Sequence, residues 1–256
     1  MCLPYLILSS DIKDMSVRKN NLSISLLMLL IFPDLGFAKD ARSFSVSLSA
    51  SRIIYTSDLK SGATLGIENR QTYPVLVKAQ VYREDQKSKA NFILTPPLFR
   101  LDAQRSNLLR ILVSNEPQSE KQETLNWLCV TAMPPDSSYD SQTKKVKSAV
   151  QVSVSSCIKL IYRPEILKEK SPLDATKDVE WRLENGSIYA NNSSPFYINV
   201  SSLKVNGVNL DSMKYIPPFS SMSFDAIKNA VPGVIVEWRL VDDNGNNSRA
   251  IKSILR

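Results

Sequence analysis

Val150-Gln-Val-Ser-Val-Ser-Ser-Cys-Ile-Lys-Leu-Ile-Tyr-Arg-Pro164 decides how this chain folds. Its first half alternates valine with polar residues, the period of a strand with one apolar and one wet face. Its second half loses the alternation, carries Lys159 and Arg163, and stops at a proline that cannot donate to a ladder. The stretch predicts one strand with an apolar row at one end and fixed positive charge at the other. Such a strand suits presentation to another protein. The alternative is a strand that buries Val150, Val152 and Val154 in its own sandwich.

Upstream, short strands recur at regular spacing. Phe44, Val46, Leu48 and Ala50 alternate up to Arg52, and strand patterns follow at Ala63–Asn69, Val75–Tyr82, Asn91–Thr95 and Leu108–Val113. Thr95-Pro-Pro97 breaks any helix and marks a sheet corner or edge. Asn126-Trp-Leu-Cys-Val-Thr-Ala-Met133 is a further strand, separated from the opening stretch by a long polar loop at 134–147. Helical periodicity is absent. The expected fold is all-β, a sandwich of about seven strands.

Downstream of Pro164 a charged, proline-bearing segment reads as a linker. Strand patterns then resume at Val179–Leu183, Ser187–Ala190, Phe196–Val205, Ile235–Val241 and Arg249–Ile254. Asn185-Gly186 and Asn206-Gly207 are hairpin signals, because both turn residues need positive φ. The chain therefore reads as two β-sandwiches in series, at 39–164 and 165–256.

The N-terminus reads as an export signal spanning 1–38. Arg18 and Lys19 precede an apolar core, Leu22-Ser-Ile-Ser-Leu-Leu-Met-Leu-Leu-Ile-Phe32, and Gly36-Phe-Ala38 supplies small residues before a cut at Lys39. Met15 fits the initiator position better than Met1, which makes Met1–Asp14 an over-extended start. An uncleaved anchor is the alternative, although the apolar core is short for a span. No later segment is apolar enough to cross a membrane. An exported, soluble protein is expected, without stable membrane insertion.

Export gives the cysteines their meaning. Cys2 lies ahead of the signal, so Cys129 and Cys157 remain as an even pair in an oxidising compartment, which reads as one disulfide. A catalytic thiol pair is the sharper alternative, but no Cys-x-x-Cys motif supports it.

Composition excludes more than it selects. With 0 histidines the chain lacks the usual general base and the commonest zinc ligand, so no Ser-His or Cys-His triad is possible. Only 7 glycines argue against a Gly-rich phosphate loop. The net charge of +7 suits an acidic partner, a membrane surface or nucleic acid, or simply a basic soluble protein. No catalytic, metal or cofactor site is expected.

Ser47-Leu-Ser-Ala-Ser-Arg52, Thr95-Pro-Pro97, Met133-Pro-Pro135 and Ile158-Lys-Leu-Ile-Tyr-Arg-Pro164 follow one another in an order that resembles the periplasmic chaperones of chaperone–usher fimbrial systems. The cysteine pair flanking a long loop further resembles the subfamily with a long loop between strands F and G, which serves thin or capsule-like surface fibres. The resemblance implies two immunoglobulin-like β-sandwich domains set in an L. It also implies a periplasmic, non-enzymatic chaperone without cofactor or nucleic-acid partner. Such a chaperone lends a strand to fimbrial or adhesin subunits and passes them to an outer-membrane usher.

Residue by residue, the resemblance implies that Val150, Val152 and Val154 form the donor row. Arg52 and Lys159 would hold the subunit's C-terminal carboxylate, and Glu123, Arg163 and Asp243 would bridge the domains as a surface charge set of little energetic weight. Two points of parity qualify this. Lys159 is out of phase with the valines, which predicts that twist or a bulge near Ser155–Ser156 re-aims it, or that the anchor is less direct. Phe44, Val46, Leu48 and Arg52 share one parity, which predicts a second apolar row beside the first. The competing reading of the whole chain is a secreted immunoglobulin-like fimbrial subunit or adhesin.

Overall fold

In the computed structural model, residues 45–256 are described except 115–118, 136–138, 141–144, 147–151, 211–213 and 227–229. The export signal, Phe44 and Val150 lie outside the described residues. Those described form strands, loops and two 3-10 turns, Glu165–Leu167 and Thr176–Asp178. None of their helices is long and apolar enough to cross a membrane.

In chain order the first sandwich contains β1 (Val46–Leu48), β2 (Arg52–Thr56), β3 (Ala63–Asn69), β4 (Val75–Arg83), β5 (Phe92–Thr95) and β6 (Leu98–Leu101). It continues with β7 (Ser106–Val113), β8 (Thr124–Met133), β9 (Tyr139–Asp140), β10 (Lys145–Val146) and β11 (Val154–Arg163). One sheet has the order β1-β3-β7-β5 and the other β2-β11-β8-β4-β6, while β9 and β10 pair with each other in the β8–β11 connection. Alternation puts Val75, Val77, Ala79 and Val81 of β4 inward against Leu128, Val130 and Ala132 of β8 and Leu65 and Ile67 of β3.

Two strands change sheets. The chain passes from β5 in one sheet to β6 in the other across Pro96-Pro97, as the proline pair predicts. It does the same between β1 and β2, which alternation had merged into one strand. That crossing corrects the parity argument for the N-terminal row. Val46 is only 7% exposed and packs in the first domain's own core, with Leu48 half-buried against it, whereas Arg52 emerges on the opposite side of the second sheet.

The second sandwich contains β12 (Val179–Glu184), β13 (Ser187–Asn192), β14 (Ile198–Val205), β15 (Val208–Leu210), β16 (Tyr215–Ile216), β17 (Ser220–Ala226), β18 (Ile235–Leu240) and β19 (Ile251–Ile254). Its sheets are β12-β13-β17 and β15-β14-β18-β19, with β16 also on β14. Trp181, Trp238 and Phe224 meet at its centre, with ring centroids 5.4 and 5.6 Å from Trp181. Asn185-Gly186 and Asn206-Gly207 turn with positive φ throughout, 49° and 79° in each pair.

Both sandwiches share one buried device. Asn69 ends β3 and Asn192 ends β13, and each is fully buried. Asn69 Nδ2 donates to the carbonyls of Tyr73, Leu101 and Asp102; Asn192 Nδ2 donates to those of Phe196, Ile216 and Pro217. Each Oδ1 accepts the amide two residues on, at Gln71 and Ser194. A buried amide that satisfies loop carbonyls in this way fixes where the strand ends.

A third cluster joins the domains. Leu125 and Ile161 from the first sandwich pack with Tyr197 from the second, flanked by Ile54, Trp127 and Tyr215. This explains why the opening stretch loses its alternation. Leu160 and Tyr162 face the first domain's core, while Ile161 and Arg163 are buried against the second domain.

Candidate functional site

β11 has two neighbours that cover it unequally. It runs antiparallel to β8 over Val154–Tyr162 but parallel to β2 only over Lys159–Arg163. Val154–Ile158 therefore keep an unpaired edge among the described residues. Among the described residues β1 pairs only with β3, which leaves a second edge unpaired there at the rim of the other sheet. Leu48, Ala50, Val154 and Ile158 lie partly buried against the first core. An open edge over apolar floor is where an extra strand can add.

The unpaired edge stops at a transverse row of residues. Arg52 of β2 is the register partner of Lys159 of β11, which is opposite Trp127 of β8, which is opposite Tyr82 of β4. All four project from the sheet face away from the first core. The β8–β11 register runs without a shift from Val154 to Tyr162, so no bulge re-aims Lys159. It and Val154 stand on opposite faces of one regular strand. The cation pair sits at the end of the edge, on the other face of β11 from Val154.

The two cations are half-buried and lack a carboxylate partner among the described residues. Lys159 Nζ donates to Asn199 Oδ1 and lies 4.8 Å from the Tyr215 ring centroid and 5.8 Å from that of Trp127. Burial first, and the neighbouring Arg52 second, bring its ammonium down to about 8. Arg52 Nη1 donates to the Val241 carbonyl at 3.3 Å, and its Nε is buried without a partner. Burial lowers Arg52 too, opposed by the charges of Asp243, Asp242 and Glu123.

Four residues along β11, Arg163 is satisfied instead. Its Nε donates to Glu123 Oε1 at 2.8 Å, and Nη1 and Nη2 fork onto the two Asp243 carboxylate oxygens at 2.7 Å each. Glu123 Oε2 accepts the Tyr197 amide at 2.8 Å. The pair is no surface bridge: the Arg163 and Glu123 side chains are 4% and 0% exposed. Burial raises Glu123 to about 6 even against the pull of Arg163. Tyr197 Oη donates to Glu84 Oε2 at 3.0 Å, which adds a further link from the second domain to the first.

The structure brings Arg52 and Lys159 together, joins Glu123, Arg163 and Asp243, and forms the Cys129–Cys157 disulfide between direct partners of β8 and β11. Val152 is 58% exposed just before β11, while Val154 is half-buried. Sequence reasoning missed Asn199, Tyr215, Trp127 and Glu84. A signal was present for the first: Tyr197-Ile-Asn-Val200 has no charged outward position, and all four are buried because that strand is covered on both faces.

Comparison with known proteins gives the geometry a family. The model of the pili and flagellar-assembly chaperone PapD N-terminal domain matches residues 45–168, and that of the pili assembly chaperone PapD C-terminal domain matches 174–252. Chaperone protein PsaB of Yersinia pestis is 38% identical over 232 residues, 83% of this chain and 85% of PsaB. The crystal structure of the Escherichia coli chaperone DraB is 40% identical with a TM-score of 0.74, covering 84% of this chain and 98% of DraB. A chain in the structure of Salmonella enterica SafA pilin in complex with the SafB chaperone is 33% identical with a TM-score of 0.74, covering 84% of this chain and 98% of that one. The chain belongs to the PapD family of pilus-assembly chaperones.

Proposed function

We propose that this protein is a periplasmic chaperone that binds fimbrial or adhesin subunits along the unpaired edge of β11 and delivers them to an outer-membrane usher. The observation that carries the reading is the meeting of that edge with two cations that have no carboxylate partner among the described residues. A subunit strand would add beside Val154–Ile158, taking Val152 and Val154, with Val150 before them, into its open groove. Each valine buried this way contributes on the order of 1.5 kcal/mol, so backbone pairing must supply the rest.

Register needs an anchor, because a one-residue slip would turn the valines out of the groove. A C-terminal carboxylate held between Arg52 and Lys159 supplies it from the far end of the edge, without sharing the donor face. The Glu123–Arg163–Asp243 set would fix the angle between the domains. The β9–β10 pair in the β8–β11 connection supports a place in the long-loop subfamily. No nucleotide or catalytic turnover is required.

Co-expression of candidate subunits with the wild-type chain, Arg52→Ala and Lys159→Ala tests this. Subunits should accumulate with the wild type and be degraded with either variant. Normal accumulation with both variants would remove the anchoring mechanism.

A further inference from the structure

The second domain supports both cations through neutral groups. Asn199, 3% exposed on β14, gives its Oδ1 to Lys159 Nζ. Its own main-chain carbonyl accepts the Val241 amide at 2.8 Å, and the Val241 carbonyl accepts Arg52 Nη1 at 3.3 Å. One hydrogen-bonded unit of the second domain thus carries both charges that stand on the first. Tyr215, the register partner of Asn199, closes over Lys159 from the same side.

The chemical identity of these acceptors matters. A carboxylate here would form an internal ion pair, and an incoming carboxylate would have to displace it. An amide oxygen or a peptide carbonyl fixes the position of a donor and leaves its charge uncompensated. Acidic residues lie close by, but Asp243 is committed to the Arg163 fork and the Asp242 carboxylate accepts the amides of Asn244 and Asn246.

We propose that Asn199 is a positioning residue of the subunit anchor, and that its neutrality keeps Lys159 available to a terminal carboxylate. The inference rests on the anchoring role given above for Lys159. It makes the second domain a direct determinant of specificity for a free carboxylate end, through an acceptor that holds Lys159 without discharging it.

Sodium acetate serves as the carboxylate probe and acetamide as its neutral control, with the Lys159 side chain followed by NMR of ¹³C-labelled lysine in the full chain. In the wild type, and in Asn199→Ser, which keeps a neutral oxygen, acetate should shift the Lys159 signal and raise its titration, and acetamide should not. Asn199→Asp should titrate at least tenfold higher in proton affinity without acetate and lose the acetate response. Asn199→Ala should weaken the acetate response at least several-fold, which keeps the test sound if the aspartate variant does not fold. Wild-type acetate responses in Asn199→Asp, or in Asn199→Ala, would overturn the inference. If those responses persist while Lys159→Ala still destroys subunit accumulation, the anchor stands and the role of Asn199 falls. If Lys159→Ala leaves accumulation intact while Asn199→Asp behaves as stated, the anchoring reading falls instead.

Discussion

Lys159 and Arg52 are register partners across the parallel β2–β11 pair, so two like charges stand side by side on neighbouring strands. That arrangement is unfavourable in isolation, and here it is partly desolvated as well. Among the described residues neither cation is paired directly with a carboxylate; each donates to an uncharged oxygen, while Asp243, Asp242 and Glu123 act on Arg52 only through space. The energy stored in this repulsion is what an arriving anion would recover.

The first prediction concerns pH, and it has two signs. Lys159 is brought from the ordinary 10.5 to about 8, so its charge is complete near neutrality and lost as pH rises through that value. Affinity for a subunit with a free carboxylate end should fall about tenfold between pH 7 and pH 9, and Lys159→Arg should abolish the fall. Stability moves the other way. The unfolded chain holds that proton up to its ordinary value, so the cost of burying the charge is relieved as pH rises above about 8. Binding titrations and urea denaturation across this range check both; parallel trends would remove Lys159 as the cause.

The second concerns the buried triad. Arg163→Ala leaves Glu123 buried without its counter-ion and should cost about 3–5 kcal/mol at pH 8. Glu123→Gln removes the charge and should cost distinctly less. Glu123 already sits high, at about 6, and losing Arg163 raises it further. The Arg163→Ala penalty should therefore shrink as pH falls to 5, because the orphaned group takes a proton. Denaturant curves at the two pH values decide it.

How much of this was legible in the sequence follows from one physical distinction. Local signals gave most of the strands, though not β6 or β17, together with the Asn-Gly hairpins and the Pro96-Pro97 crossing, because each is dictated by residues adjacent in the chain. The β1–β2 crossing was not legible. Ser49-Ala-Ser51 has no proline, and even parity ran unbroken from Val46 to Arg52, although the two ends point to different faces of the sandwich. The same limit hid Asn199 and Tyr215. Their partner Lys159 lies in the other domain, and no periodicity within one strand reports a contact across an interface. The burial of Arg163 was misjudged for the same reason: an arginine before a proline at a domain end looks solvated until a second domain covers it.

The third prediction isolates the edge from the anchor. Val152 is mostly exposed and packs on nothing that the first core needs. Val152→Asp should leave the melting temperature within about a degree of the wild type. It should weaken subunit binding by about 10–100-fold, the cost of losing a buried valine and placing a charge in an apolar groove. Equal binding by wild type and variant would mean that the strand is not offered as far as Val152.

The fourth concerns the disulfide. Cys129 and Cys157 are separated by 28 positions, and the bond closes the base of the loop that leads into the unpaired edge. Replacing both with alanine should cost about 3.5 kcal/mol in the chain-entropy account. Calorimetry of the double variant, read beside the reduced wild type, measures it. A loss under about 1 kcal/mol would show that β8–β11 pairing already restrains the loop in the unfolded ensemble.

The last prediction tests whether the second domain's hairpin is pressed against the anchor strand. Gly245 turns with φ 87°, and a methyl group at that position would meet the Ser51 hydroxyl, one residue before Arg52. Gly245→Ala carries two separate penalties, backbone strain and that contact, together of order 1–3 kcal/mol. Ser51→Gly removes only the second. In a double-mutant cycle the pair should therefore be coupled, with Ser51→Gly restoring part of the stability lost to Gly245→Ala and never all of it. The same hairpin carries Asp243 of the Arg163 fork and leads from Val241, which holds Arg52. Gly245→Ala should consequently weaken subunit binding as well as stability, and Ser51→Gly should recover the binding more fully than the stability. Additive penalties would mean that the turn is strained on its own account and bears no weight against β2.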